Sequence, residues 1–190
     1  MIIHQPVADP TRLLGAWGRR PADRLASGLG AWLDDRFHLV RRPWVEGAWL
    51  SGVVVVPGGT WTLADLAGAG KFRKRNDHWY RWQPSTRSWV PWGAEEVAAG
   101  RLAGHRLERT LDAAGLPATV QPVLVTGSKT DVSWDEGQRP GVLVHRQDGA
   151  ASLAALMTRD EVLTRFQVER ITALLDPHQP LPRPGDPGPA

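Results

Sequence analysis

A β-hairpin is encoded by Leu50-Ser51-Gly52-Val53-Val54-Val55-Val56-Pro57-Gly58-Gly59-Thr60-Trp61-Thr62-Leu63-Ala64-Asp65-Leu66-Ala67-Gly68-Ala69-Gly70, and the other elements are arranged around it. The four valines are β-branched and form a run too short for a helix, which favours a buried strand. Pro57-Gly58-Gly59 supplies a tight turn with a positive φ before a second apolar run. We therefore expect this hairpin to lie near the centre of a sheet.

Apolar spacing and turn residues predict the remaining elements. Leu25, Leu29, Trp32 and Leu33 recur at helical spacing in a helix that begins at Ala22 and ends near Asp34 or Asp35. A strand over 36–45 follows, and residues 71–82 form a second hairpin turning at Asn76-Asp77. Further along the chain we predict a helix over 94–114 with core pairs Ala98/Leu102 and Leu107/Leu111. Strands over 120–126 and 141–145 then flank a loop over 127–140. The chain continues with a helix over 151–157 and a last helix opened by a capping box over 158–161.

Length and composition favour a single cytoplasmic domain. The 190 residues suffice for one sizeable core, which we place in residues 1–176, followed by a disordered Pro-rich tail over 177–190. Neither an 18-residue apolar window nor a signal-peptide pattern occurs, so we expect no membrane partner. The absence of cysteine excludes disulfides, thiolate zinc sites and a cysteine nucleophile.

Motifs for common catalytic centres are missing. The six histidines show no metal-ligand spacing, and neither a Gly-x-Ser-x-Gly nucleophile elbow nor a P-loop occurs. We therefore predict no resident metal or cofactor.

Positive charge is concentrated in residues 71–92. Six cations against the single acid Asp77 give this segment a formal charge of +5, whereas the whole chain carries only +3. Arginine forks bind phosphates and aromatic rings stack on bases, so the segment is a candidate for binding DNA or RNA. The candidate contact residues are Lys71, Arg73, Lys74, Arg75, Arg81, Arg87, Trp79 and Trp82. The alternative is structural: the tryptophans cover one side of a sheet and the arginines face water.

The same hairpin resembles the nuclease-related domain (NERD) family of restriction-endonuclease-like proteins. The resemblance spans about residues 13–175 and lies in the valine run, Pro57-Gly58-Gly59, the strand from Trp61 to Leu66, Gly70 and Trp79, with Gly15-Ala16-Trp17-Gly18 upstream. It implies an α/β fold in which helices flank a mixed, restriction-endonuclease-like β-sheet.

The resemblance also implies a degenerate catalytic site. Such a family is expected to place an acid before the valine run, an acid-x-Lys triplet on the next strand and an acid after its first Gly-x-x-Gly. Those places here hold Ser51, Ala64 with Leu66, and Arg19. Metal-assisted phosphodiester hydrolysis requires carboxylate ligands for Mg²⁺ and a cation for the transition state, and these side chains supply neither. Because side chains alternate along a strand, Asp65 should face away from Ala64 and Leu66.

We therefore expect a catalytically inactive nuclease-related domain that has kept a nucleic-acid-binding surface. One alternative is a Mg²⁺-dependent nuclease with a migrated site formed by Glu46, Asp65 and Lys71, the only case in which a metal cofactor is implied. Another is a protein-interaction module in which exposed tryptophans anchor a partner. The sequence does not indicate an oligomeric state.

Overall fold

A computed structural model describes residues 1–4, 20–66, 68–117, 119–137 and 141–176. Arg19, the segment from Gly15 to Gly18 and the proline-rich tail over 177–190 lie outside the described residues. In chain order the elements are β1 (Ile2–His4), α1 (Pro21–Leu29), β2 (His38–Arg41), β3 (Trp44–Val45), β4 (Ala48–Trp49), β5 (Gly52–Val56), β6 (Gly59–Leu66), β7 (Gly70–Arg75), β8 (His78–Gln83), β9 (Ser88–Pro91), α2 (Glu95–Ala113), β10 (Val120–Thr126), β11 (Thr130–Trp134), β12 (Leu143–Arg146), α3 (Ala150–Met157) and α4 (Arg165–Leu175).

The valine hairpin lies at the centre of a six-stranded mixed sheet, as predicted. The strand order is β1-β2-β5-β6-β10-β12. Strands β5 and β6 are antiparallel, with Val56 opposite Gly59, and β10 runs parallel to both β6 and β12. Gly59 has a φ of +132°, which is the positive value expected of this turn.

The valine run is continuous because both faces of β5 are buried. Val54 and Val56 pack into a cluster with side chains of α1 and α3, whereas Val53 and Val55 pack into a cluster with side chains of α2 and α4. None of the four side chains is measurably exposed. Full burial of each contributes roughly 1.5–3 kcal/mol, so this strand holds together the two helical layers.

A second, four-stranded sheet has the order β11-β7-β8-β9. The β7–β8 turn at Asn76 and Asp77 is confirmed, since both residues adopt the left-handed conformation of a two-residue hairpin loop, with φ of 49° and 61°. The predicted loop over 127–140 was wrong in part, because β11 pairs in parallel with β7. The two sheets share a cluster that contains Leu66, Leu124 and Phe72.

Several helix predictions need correction. Helix α1 ends at Leu29, and Trp32 is 63% exposed. In α2 the pair Leu107/Leu111 is buried, but Ala98 and Leu102 face solvent.

Two glycines set the buried face of α2. A Cβ on Gly100 would lie 3.3 Å from Ala64 of β6, and Gly104 packs on Pro122 of β10. The helix therefore approaches the sheet through residues without side chains, which apolar spacing does not reveal.

The last helix begins later than predicted. Its capping box is formed by Thr164 and Gln167, not by residues 158–161. Pro57 O of the β5–β6 turn accepts hydrogen bonds from Val162 N and Leu163 N, both at 2.8 Å, which holds the chain extended before the helix.

Candidate nucleic-acid interface

The positions of the expected catalytic side chains are only partly brought together. Ser51 and Ala64 line one cavity of about 670 Å³ beside α2. Leu66 is 1% exposed and belongs to the cluster shared by the two sheets, so it is a packing residue. Arg19 lies outside the described residues.

Two carboxylates lie near Ser51 and Ala64. Asp65 faces away from Ala64, as predicted: its Oδ1 accepts a 2.7 Å hydrogen bond from Ala22 N at the start of α1. Burial raises the pKa of Asp65, with a smaller contribution from Asp23, while the bond from Ala22 opposes the shift. Glu96 of α2 also lines the cavity, and its Oε2 is buried without a hydrogen-bond partner among the described residues. Nowhere in the described chain do three or more potential metal ligands form a group.

The residues of the migrated nuclease site occupy separate places. Glu46 lies in the turn between β3 and β4 and forms an ion pair with Arg109 of α2. Lys71 belongs to the second sheet, and neither Glu46 nor Lys71 lines the cavity that contains Asp65.

Strand register divides the basic segment between the two faces of the second sheet. Residues that pair directly across strands share a face, and successive residues alternate. The inner face packs on the main body through Phe72, which is 2% exposed. We call the opposite side the outer face; its side chains are Lys71, Arg73, Arg75, His78, Tyr80, Trp82, Trp89, Pro91, Asp131 and Ser133.

Three of the candidate contact residues lie on the inner face. Trp79 meets the Trp92 ring edge-to-face at 5.9 Å between centroids, and the Arg81 guanidinium lies 5.7 Å from the centroid of Phe72. Lys74 pairs with Asp77 at 3.1 Å, and its side chain is 14% exposed. The structural alternative therefore fits Trp79, which covers the core and is not an open stacking surface.

The outer face combines cations with aromatic rings, of which Tyr80 and Trp82 are partly buried and Trp89 is exposed. Trp82 and Trp89 are cross-strand partners whose rings meet edge-to-face at 5.5 Å, and Trp89 is 37% exposed. Arg87 lies in the β8–β9 turn at a φ of 51°.

Asp135, which directly follows β11, offsets part of the charge of the basic segment. Arg73 Nη2 is 2.6 Å and Arg75 Nε 3.7 Å from the Asp135 carboxylate. Asp131 and Glu136 lie on the same stretch. The formal charge of +5 on residues 71–92 is therefore partly compensated by acids that the fold brings beside this segment.

A cleft of about 740 Å³ lies between the two sheets. Strands β6, β10 and β12 are mutually parallel, so their carboxyl ends meet at this edge, where α/β sheets commonly bind ligands. The cleft is lined by four cations and one acid, Lys71, Arg81, Lys129, Arg146 and Asp131, together with the indoles of Trp82 and Trp134.

The sequence interpretation missed Lys129 and Arg146. Lys129 follows the mostly buried strand β10 and Arg146 is the last residue of β12, and those positions after apolar runs were the available signal. Among the described residues no carboxylate forms an ion pair with Lys71, Arg81 or Lys129, and Asp131 lies directly across from Lys71 in the strand register. Arg146 binds Asp148 at 2.7 Å in an exposed pair, which also raises the pKa of Arg146.

Comparison with known proteins gave no relative: the chain matches no protein-family model, no curated protein and no solved structure. Within the described residues, none of the helices is both long and apolar enough to traverse a lipid bilayer.

Proposed function

We propose that this chain is a nucleic-acid-binding module built on a catalytically silent, nuclease-related scaffold. The observation that carries the proposal is the cleft between the sheets, where four cations face a single acid beside two indoles. Cations lining a groove track a phosphate backbone, and indoles beside them offer surfaces for bases. Lys129 and Arg146 add to the basic residues expected from the sequence.

The charge state of the cleft supports binding to phosphate. Lys71, Arg81 and Lys129 form no ion pair with described carboxylates, although Asp131 lies directly across from Lys71 in the strand register, so these cations can displace counterions from a nucleic acid. Affinity that comes from such contacts falls steeply with salt concentration. Arg73, Lys74 and Arg75 are engaged by Asp135 or Asp77 and contribute less.

The silent part of the proposal rests on the side chains beside the valine strand. Mg²⁺ requires several oxygen ligands, and Ser51, Ala64 and Leu66 supply no carboxylate. Asp65 already accepts a backbone hydrogen bond at the start of α1, and it lies on the opposite face from Ala64. Incubation of the pure protein with plasmid in Mg²⁺ or Mn²⁺ should leave the DNA intact, whereas nicking that Asp65→Ala abolishes would establish the migrated nuclease site instead.

The binding test replaces two lysines of the cleft. We expect labelled oligonucleotides to bind the wild-type protein with a negative slope of log K against log salt, and Lys71→Ala/Lys129→Ala to weaken binding and reduce that slope by about 2. Fluorescence anisotropy from 50 to 200 mM salt measures both quantities.

The matched control is Arg159→Ala/Arg165→Ala. It removes the same charge from the region of α3 and α4, where both side chains are exposed. Equal slopes for the two double variants, or no binding at 50 mM salt, would contradict the proposal.

A second candidate function is docking of a partner protein. It is favoured by the β3–β4 hairpin, where Trp44 is 56% and Trp49 44% exposed and their rings meet edge-to-face at 4.9 Å. Exposed tryptophans are frequent anchors of protein interfaces. Self-association in light scattering that Trp44→Ala/Trp49→Ala removes, in a protein without affinity for oligonucleotides, would favour this function.

A further inference from the structure

We infer that the nucleic acid is single-stranded, with its bases stacked on the outer face of the second sheet and its phosphates directed into the cleft. This inference rests on the proposed function and names the form of nucleic acid that the same surface recognises. It depends on the outer-face rings of Tyr80, Trp82 and Trp89, of which only Trp82 also lines the cleft.

The rings of the outer face are arranged as separate stacking positions. Tyr80 and Trp82 point to one side of β8, two residues apart, which places them about 7 Å apart along the strand. Trp89 lies directly across from Trp82 on β9. Edge-to-face contact at an interplanar angle of 66° leaves at least one face of each indole outside the contact. Flat rings on a sheet surface bind unstacked bases with little dependence on sequence.

Positive charge runs from this face into the cleft. Lys71 and Trp82 belong to the outer face and also line the cleft, so rings and phosphate-binding cations form one continuous surface. Arg73 and Arg75 lie beside the rings and are held by Asp135. A single-stranded nucleic acid bound across β8 would therefore find rings for its bases and cations for its phosphates along one path.

A duplex does not fit this surface equally well. Its bases are already stacked on one another, and proteins reach base edges with an element inserted into a groove. The outer face is a sheet surface, and its rings can stack only on bases that are unpaired and turned outward. We therefore expect the single strand to bind more tightly than the duplex of equal length.

The experiment compares labelled 12-nucleotide single strands, oligo(dT) and oligo(rU), with a 12-base-pair duplex. For the wild-type protein we expect at least tenfold tighter binding to the single strands and quenching of tryptophan fluorescence. Trp89→Leu should weaken single-strand binding about fivefold or more, and Trp89→Phe should restore most of it, because a stacking ring is regained. The salt slope should not change in either variant, since no charge is removed.

Two further variants make the test specific. Trp44→Leu removes an indole that is more exposed than Trp89 but lies on the β3–β4 hairpin, and it should leave binding unchanged. Asp135→Asn releases Arg73 and Arg75 and should tighten binding, with a steeper salt dependence. Far-UV circular dichroism checks that each variant is folded.

The outcomes separate this inference from the proposed function. Equal affinity for duplex and single strand, or wild-type binding by folded Trp89→Leu, would overturn the stacking inference. If Lys71→Ala/Lys129→Ala still weakened binding, the cleft function would stand. Absence of binding to every oligonucleotide would overturn both.

Discussion

Gly58 shows how a single residue can hold two distant segments together. A Cβ at this position would lie 2.0 Å from Met157 O and 2.9 Å from Asp160 O. Both are backbone atoms, and the neighbouring Pro57 O binds Val162 N and Leu163 N, so the segment cannot easily move away. We expect Gly58→Ala to lower the free energy of unfolding by about 2 kcal/mol or more, measured by urea denaturation.

A matched control for Gly58→Ala is Gly127→Ala. A Cβ on Gly127 would meet only Thr130 Oγ1, at an ordinary 3.6 Å. We expect a change within about 0.5 kcal/mol there. Equal effects of the two substitutions would show that the close approach at Gly58 is not what requires a glycine.

At the residue scale, sequence predicted the turn at Gly58-Gly59 but not the contact that fixes it. The turn follows from local conformational preference, whereas the contact joins residues about 100 positions apart. The same distinction holds for Ser51 and Ala64. Their lack of carboxylates was evident from residue identity, but their common cavity with Glu96 depends on the placement of α2.

At the scale of elements, a hydrogen-bonded pair of histidines links β1, β2 and the end of α4. His4 Nε2 lies 2.9 Å from His38 Nδ1, and His4 Nδ1 lies 3.3 Å from Asp176 Oδ2. Burial lowers the pKa of His38 to about 4, helped by His4 and the N-terminal amine and opposed by Glu169 and Asp35. Burial also lowers the pKa of His4, against the effect of Asp176.

This pair predicts a loss of stability in mild acid. The folded state keeps His38 neutral, whereas the unfolded chain takes up a proton at the ordinary value of 6.5, so stability is full above pH 6.5 and falls as the pH drops towards 4. Because the group is partly exposed, we expect a loss on the order of 1 kcal/mol in urea unfolding. His38→Gln should flatten this dependence, while the exposed His105→Gln should not; equal slopes in all three proteins would contradict the assignment.

Elements with a regular period were predictable, and those defined by long-range pairing were not. The hairpins at Pro57-Gly58 and Asn76-Asp77 carry local turn signals, and both were confirmed. Strand β11 was missed because its polar sequence, with Asp131 and Ser133 facing outward, becomes a strand only when paired with β7. Missing this strand also hid the ion pairs of Arg73 and Arg75 with Asp135, the residue that follows it.

At the scale of the whole molecule, the two sheets share a core and should unfold together. Leu66 and Leu124 of the main sheet pack in one cluster with Phe72 of the second sheet and Val97 of α2. The ring of Phe72 also packs against the ring of Trp92, with 4.6 Å between the two centroids. Neither sheet can lose its packing without exposing this cluster.

Two spectroscopic signals give different weight to the two parts. Five of the ten tryptophans lie in or beside the second sheet, namely Trp79, Trp82, Trp89, Trp92 and Trp134, whereas the helices that dominate far-UV circular dichroism cover the main sheet. We expect tryptophan fluorescence and circular dichroism to give the same urea midpoint, as for a two-state domain.

Phe72→Ala should lower both midpoints equally, at a cost of about 3–5 kcal/mol, while Phe166→Ala, at a side chain that is 44% exposed, should shift neither much. Separate midpoints, or a Phe72→Ala shift confined to fluorescence, would mean that the second sheet opens independently, and the cleft between the sheets would then be a hinge and not a fixed binding surface.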